Sequence, residues 1–141
     1  MKKLFLAVAL CAASPAVAHN RVDMSVGAVR QLVDHYAAQN GVPRRLAHGV
    51  IRKESGYDCR AKNPRSTASG AGQLVRATAL ALGVTDVFDC RQNVSAAMRY
   101  LALAIRRGGA GCQGVSLYQA GVGARPRCTA YGRAVMRMAG R

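Results

Sequence analysis

Apolar residues recur at intervals of three or four positions along most of the chain after residue 28, which is the spacing of one helix face. The first stripe ends at Asn40-Gly41, and the second starts near Pro43, which suits a first helical turn, and ends at Gly56. The longest predicted helix starts at an Asn93 cap and ends at Gly108-Gly109. The three stripes consist of Val29, Leu32, Val33, Tyr36 and Ala37, then Leu46, Ala47, Val50 and Ile51, and then Val94, Ala97, Met98, Leu101 and Ile105.

The stretch between the second and third stripes is less regular. Residues 57–69 contain a proline and are predicted to form a loop, and residues 70–75 are predicted to form a short helical turn. Thr78 is predicted to cap a short segment that ends at Gly83.

The C-terminal part is also predicted to be helical. Residues 116–120 form a short segment, and Pro126 is expected to open a last helix that carries Tyr131, Val135 and Met138. No run alternates apolar and polar residues as a half-buried strand does, and no internal repeat or interdomain linker is visible. The pattern therefore predicts a single compact all-α domain.

The first eighteen residues have the pattern of a signal peptide. A basic start precedes an apolar run from Leu4 to Ala13, and Ala16-Val17-Ala18 fits the small residues of a cleavage site. The run is shorter than the roughly 20 apolar residues that span a bilayer, so no stable membrane anchor is expected. We predict that residues 1–18 are removed and that residues 19–141 form an exported domain, either periplasmic or secreted.

Four cysteines lie beyond the predicted signal peptide, and in an exported chain they indicate two disulfides with three possible pairings. The pairs Cys59–Cys90 and Cys112–Cys128 are favoured because they close the most local loops. No CxxC motif occurs and the three histidines are scattered, so neither a metal site nor a cofactor is expected.

The chain is strongly basic, with 21 Lys and Arg against 6 Asp and Glu and a formal charge of +15. This charge favours an anionic partner, which is a nucleic acid, an acidic membrane surface or an acidic wall polymer. Export and the lack of an aromatic stacking array disfavour a nucleic acid. A basic surface that only keeps the protein soluble is the remaining alternative.

Glu54 is the single glutamate of the chain, and it follows Val50 by four positions and Ile51 by three, on the apolar stripe of its helix. Burial there raises the pKa of a carboxyl group, and a carboxylic acid that is protonated near neutral pH can act as a general acid. The alternative is a buried glutamate paired with an arginine, although Arg52 and Lys53 point away from the stripe. No second catalytic carboxylate is established by the sequence.

Three motifs occur in order along the chain. They are Glu54-Ser55-Gly56-Tyr57, the segment Ala-Ser-Gly-Ala-Gly-Gln-Leu-Val-Arg-Ala-Thr-Ala at 68–79, and Tyr118-Gln119-Ala120-Gly121. With them, residues 42–138 resemble the soluble lytic transglycosylase-like (SLT domain) family of peptidoglycan-cleaving enzymes, which has a goose-type-lysozyme-like fold. The chain departs from the family at Gln119, where asparagine is usual, and at Ala71-Gly72, where a Leu-Met pair is usual.

The resemblance implies that Glu54 protonates the β-1,4 bond between N-acetylmuramic acid and N-acetylglucosamine and then acts as the base that yields a 1,6-anhydro product. It also implies a glycan cleft, in which Tyr118 could hydrogen-bond near Glu54. The cleft residues implied in this way are Ser69, Gln73, Val75, Tyr118 and Gln119.

Two alternatives stay open beside this interpretation. One is a hydrolytic muramidase on the same fold, and the other is a non-catalytic cationic protein that binds the wall. The compact layout and the resemblance together suggest a monomeric enzyme that acts on peptidoglycan strands. We further expect a dedicated role in opening the wall for a secretion, pilus or flagellar machine.

Overall fold

The computed structural model describes residues 24–140, in which six helices are present and no β-strand is formed. Two isolated antiparallel bridges, Lys62 with Ser69 and Ser69 with Leu74, shape the loop after the second helix. The all-α prediction is confirmed, whereas the predicted signal peptide, residues 1–18, lies outside the described residues. The helices are α1 (Val26–Gln39), α2 (Arg44–Glu54), α3 (Arg76–Ala81), α4 (Cys90–Gly108), α5 (Cys112–Ala120) and α6 (Ala130–Ala139).

The long helix α4 organises the packing, because α1 and α5 both pack against it. Helix α2 packs between α1 and α6, and α6 also contacts α5. The largest fully buried side chains come from α2, α4 and α5, where burial of each stabilises the fold by about 1.5–3 kcal/mol. They are Leu46, Ile51, Met98, Leu101 and Leu117. Among residues 24–140, none of the helices combines the length and the apolar character needed to cross a bilayer.

The predicted cap of α4 is wrong. The helix begins four residues earlier, where the Asp89 carboxylate caps it by accepting a hydrogen bond from the backbone N–H of Gln92 at 3.0 Å. Asn93 lies inside the helix and is completely buried. Its side-chain amide bonds the backbone of two loops and does not cap its own helix. Local sequence rules do not predict such a role. The predicted end at Gly108-Gly109 is confirmed.

Three other predicted helix starts also differ from the structure. Thr78 lies inside α3, which starts at Arg76 with no side-chain cap. Pro126 lies before α6, whose cap is Thr129, and α5 starts at Cys112 rather than at residue 116. A proline or threonine alone therefore does not place a helix start.

The segment 70–75, predicted as a short helical turn, is not helical. Gly70 and Gln73 have positive φ angles of 76° and 48°, and the backbone N–H of Gln73 donates to the Gly70 carbonyl at 3.1 Å. The bridge between Ser69 and Leu74 closes a tight loop around these residues. This loop, residues 69–75, is called the cleft loop below.

Both predicted disulfides are confirmed. Cys59–Cys90 ties the loop after α2 to the start of α4, and Cys112–Cys128 ties the start of α5 to the segment before α6. The two bonds span 31 and 16 positions, and loop-closure entropy gives them a stabilisation of about 3–4 kcal/mol each.

Candidate active site

Glu54 is the last residue of α2, and its position follows from the packing of that helix. Val50 and Ile51, on the same stripe, are completely buried, so the carboxyl of Glu54 lies at the inner edge of the helix end. Ser55 then caps the helix, and Gly56 reverses the chain with a φ of 63°. The glutamate is therefore half-buried at the mouth of a pocket rather than extended into solvent.

Tyr131 of α6 is the hydrogen-bond partner of Glu54. Its hydroxyl donates to Glu54 Oε1 at 2.5 Å, across 77 positions of sequence. Burial raises the pKa of Glu54, and the smaller opposing effects of the Tyr131 hydrogen bond and the Lys53 charge only partly offset it. Within residues 24–140, no lysine or arginine forms an ion pair with Glu54. The carboxyl is thus biased toward its protonated form without a cation to neutralise it.

Tyr118 of α5 forms a second side of the pocket. Its buried hydroxyl donates to the backbone carbonyl of Gly72 at 2.7 Å, and its ring makes an edge contact with Tyr100 at 5.4 Å. Burial raises the pKa of Tyr118 well above its ordinary value, so it remains a neutral phenol. The tyrosine that hydrogen-bonds Glu54 is Tyr131 of α6, while Tyr118 fixes the cleft loop.

The pocket has a volume of about 360 Å³ and joins the end of α2 to the cleft loop and to α5. Such a size is at the lower end of the range for small-molecule sites. Its wall is mostly polar and uncharged, apart from Glu54 itself, which suits a sugar that offers many hydroxyl groups. The polar side chains in its wall are Glu54, Asn63, Ser66, Gln73, Thr78, Tyr100, Tyr118 and Gln119.

The buried amide of Asn93 holds the cleft loop in place. Its Nδ2 donates to the carbonyls of Ser69 at 3.0 Å and Val87 at 2.9 Å, and its Oδ1 accepts from the Gly72 N–H at 2.7 Å. Gly72 has no room for a side chain, since a Cβ would lie 2.5 Å from the Cβ of Ala97. The lack of a side chain at Gly72 thus lets the loop pack closely onto α4.

Ser55 and Gln73 form hydrogen bonds that hold the cleft loop beside the pocket. The Ser55 hydroxyl donates to the Ala71 carbonyl at 2.7 Å and accepts from the Tyr57 N–H at 3.1 Å. The Gln73 amide donates to the carbonyls of Ala61 at 3.1 Å and Gly70 at 3.0 Å. The Ser55 bond joins the helix end that carries Glu54 to the cleft loop, and the Gln73 bonds hold that loop in shape, so the pocket is preorganised.

Four of the five predicted cleft residues line this pocket together with Glu54, and they are Gln73, Val75, Tyr118 and Gln119. Ser69 does not line it. Its side chain lies in a neighbouring depression of about 530 Å³, where its hydroxyl donates to the Thr67 carbonyl at 3.3 Å. The glycan-binding roles of all five residues stay predictions.

Sequence reasoning missed the contact of Tyr131 with Glu54 and the lining by Asn63, Ser66, Thr78 and Tyr100. Tyr131 was expected only as part of the apolar stripe of the last helix. No local spacing relates it to Glu54, because the contact depends on how α6 packs against α2. Within the described residues 24–140, no three His, Cys, Asp or Glu side chains come together as a metal site would require.

The chain is similar to one curated protein. The chain is 36% identical over 84 residues to "Membrane-bound lytic murein transglycosylase F" of Desulfosudis oleivorans, an alignment that covers 60% of this chain and 18% of the relative. The chain therefore matches less than a fifth of that protein's length. No solved structure gives a significant match. Residues 31–134 match the family described as "Transglycosylase SLT domain", and since they include the pocket residues and most of the sequence, the chain belongs to this family.

Proposed function

We propose that this protein is a peptidoglycan lytic transglycosylase that uses Glu54 as its only acid and base. The observation that carries the proposal is the half-buried Glu54 carboxyl, which lies in a polar pocket, bonds to a tyrosine and has no cationic partner in residues 24–140. Membership of the SLT family and the name of the curated relative both support this activity.

The reaction begins with protonated Glu54 and a strand bound across the pocket. The carboxyl donates its proton to the oxygen between N-acetylmuramic acid and N-acetylglucosamine, and the bond from that oxygen to C1 of the muramic acid breaks. The C6 hydroxyl of the same sugar attacks C1, and the Glu54 carboxylate takes the proton of that hydroxyl. The products are a 1,6-anhydro end and a free 4-hydroxyl, and no water is consumed.

Burial and the Tyr131 hydrogen bond favour opposite protonation states of Glu54, and the cycle needs both states. Burial favours the protonated acid before cleavage, while the phenol hydrogen bond stabilises the carboxylate that exists between the two proton transfers. The opposition of these effects keeps the carboxyl able to donate and to recover a proton. Tyr131 itself remains a neutral donor, because burial raises its pKa far above the ordinary value.

The composition of the pocket favours an intramolecular nucleophile. None of the aspartates in residues 24–140 lines the pocket, whereas two-carboxylate glycosidases place a second acid about 5–10 Å from the first. Attack by the sugar's own hydroxyl needs no such residue. A hydrolytic muramidase would instead have to activate water from this same pocket.

Mass spectrometry of the fragments released from purified sacculi tests the proposal. The wild type should give 1,6-anhydro ends, which are lighter than reducing ends by one water, and Glu54→Gln should release product at least about 100-fold more slowly. Asp58→Asn is the matched control, because it neutralises an exposed carboxylate four positions away, which accepts a hydrogen bond from the Arg60 N–H and does not line the pocket.

Three results would contradict the proposal. Reducing ends alone would identify a hydrolase, and full activity of Glu54→Gln would exclude this residue as the acid. Binding to sacculi with no release of fragments by the wild type would indicate a non-catalytic wall-binding protein.

Export and a role beside an envelope-spanning machine are part of the same proposal. The signal-like residues 1–18 support export, and a mature periplasmic or secreted protein that begins at His19 would agree with it. A deletion strain that assembles its secretion, pilus and flagellar machines normally would contradict the dedicated role.

A further inference from the structure

A second cavity, of about 660 Å³, lies behind α2, and four of the nine residues that line it are arginines. Successive helical residues are rotated by about 100°, so Arg45 and Arg52 lie roughly 180° and 200° around the helix from Glu54. The cavity therefore opens on the face of α2 opposite the active-site pocket. We call it the arginine pocket, and its polar lining consists of Arg30, Arg44, Arg45, His48, Arg52 and Tyr57.

Among the residues that the structure describes, only Arg44 of these four arginines forms an ion pair. Arg44 forms two hydrogen bonds with Asp34, at 2.6 and 3.1 Å, and they hold the pKa of Asp34 below its ordinary value. Arg45 and Arg52 are exposed and form no ion pair within residues 24–140, and no acidic side chain lines the cavity. The guanidinium of Arg30 lies over the ring of Tyr57, 4.9 Å from its centroid. Three positive charges thus line the cavity with no carboxylate of residues 24–140 paired to them.

The floor of the arginine pocket is held by a chain of hydrogen bonds. His48 Nε2 lies 2.8 Å from Asp34 Oδ1, and His48 Nδ1 lies 3.0 Å from the hydroxyl of the buried Tyr57. Tyr57 in turn follows the Glu54-Ser55-Gly56 turn and bonds through its N–H to Ser55. The floor is therefore fixed to the end of the helix that carries Glu54, whereas the cationic rim stays open.

We propose that the arginine pocket binds carboxylates of the peptidoglycan stem peptide whose muramic acid occupies the active-site pocket. The inference rests on the proposed function, since it assigns a site for another part of the same polymer. Planar guanidinium groups match carboxylates in geometry and charge, and several of them together favour a ligand with more than one negative group. Stem peptides carry such carboxylates at short intervals along an extended chain.

The distance between the two pockets suits a stem peptide. A helix about 10–12 Å in diameter has a half-circumference of about 16–19 Å. Four or five extended residues reach about 13–18 Å, and the lactyl group adds to that length. Gly56 lies between Glu54, which lines the active-site pocket, and Tyr57, which lines the arginine pocket. It is exposed, and a Cβ there would meet no atom within 4 Å. A peptide can therefore pass from one face of α2 to the other around the helix end.

Co-sedimentation with sacculi tests this assignment, in the Glu54→Gln background so that the polymer stays intact. Arg45→Ala/Arg52→Ala is compared with Arg91→Ala/Arg106→Ala, which removes the same charge from α4 at residues that line none of the three cavities described above. Each variant is measured on intact sacculi by co-sedimentation and, by fluorescence anisotropy, on soluble glycan strands from which an amidase has removed the stem peptides.

We expect the Arg45/Arg52 variant to bind intact sacculi about 3- to 10-fold more weakly than the control pair, as two partly exposed arginine–carboxylate contacts would give. On stripped strands the two variants should bind equally. Equal weakening on intact sacculi would show that only overall charge matters and would overturn the proposal. A deficit of the Arg45/Arg52 variant that persists on stripped strands would also overturn it.

Two further measurements separate the possible failures. In the first, vesicles containing phosphatidylglycerol are added as competitor. If the protein binds them more strongly than sacculi, and this binding depends on Arg45 and Arg52, the pocket binds a membrane and the stem-peptide assignment is refuted. The products of the wild type are analysed in parallel. If the wild type forms 1,6-anhydro ends but the Arg45/Arg52 and Arg91/Arg106 variants bind alike, only this inference fails. If the wild type forms no 1,6-anhydro ends, the proposed function itself is contradicted.

Discussion

Replacement of Tyr131 by phenylalanine should make the Glu54 carboxyl hold its proton more tightly. The tyrosine hydroxyl donates to Glu54 Oε1 at 2.5 Å and so favours the ionised form, whereas burial favours the neutral form. Phenylalanine keeps the ring and most of the burial but removes the donor. The only remaining effect that opposes burial is the charge of Lys53, so the pKa of Glu54 must rise further.

The size of this effect follows from the type of hydrogen bond. A hydrogen bond to a charged group contributes about 1.5–3 kcal/mol, and the lower value is appropriate because the carboxyl is half-exposed in an open pocket. At 25 °C about 1.4 kcal/mol corresponds to a factor of about 10 in an equilibrium. The ratio of protonated to ionised Glu54 at a fixed pH should therefore increase about tenfold in Tyr131→Phe.

The composition of the chain makes the measurement direct. Glu54 is its single glutamate, so protein labelled with ¹³C-glutamate has one side-chain carboxyl resonance, and its shift with pH reports this residue alone. Cleavage requires the protonated acid, and activity therefore falls as pH rises through the pKa of Glu54. In Tyr131→Phe this fall should move to higher pH together with the titration.

Tyr36→Phe is the control, because this residue lies on α1 and its ring contacts His35 rather than the pocket. It should leave the glutamate titration unchanged. A Tyr131→Phe protein whose carboxyl titrates at the wild-type pH or below it would refute the reasoning. That result would mean that the hydrogen bond does not favour the ionised carboxylate.

Two further predictions concern stability. Folding raises the pKa of Glu54 above its unfolded value of about 4.3. The neutral carboxyl therefore contributes to folding stability below the unfolded pKa, and this contribution is lost as pH rises through the folded pKa. Glu54→Gln should therefore be about 1 kcal/mol more stable than wild type at pH 7 but not at pH 4 in urea unfolding, and equal stability at both would contradict this. Asn93→Ala should cost about 3 kcal/mol or more by the same method, because it leaves three backbone groups around a buried site without partners. Asn63→Ala, which removes one exposed bond, should cost less than about 1 kcal/mol, and a similar loss for both variants would count against a special role for Asn93.

Patterns among residues close together in the sequence predicted most of the fold. The apolar spacing identified α1, α2 and the body of α4, because in a helix the buried face repeats every three or four positions whatever the helix packs against. The same spacing placed Glu54 on the inward face of α2. The disulfides were also predicted correctly, since both close local loops.

Features that depend on contacts between distant segments were not recoverable in this way. The bond of Tyr131 to Glu54 spans 77 positions and exists because α6 packs against α2. Asn93 is of a residue type that is common at helix caps, but here it is buried inside α4. Its amide hydrogen-bonds three backbone groups that only the folded chain brings together. The pattern of side chains specifies which faces are buried, whereas the partners that a buried polar group meets depend on how those faces pack.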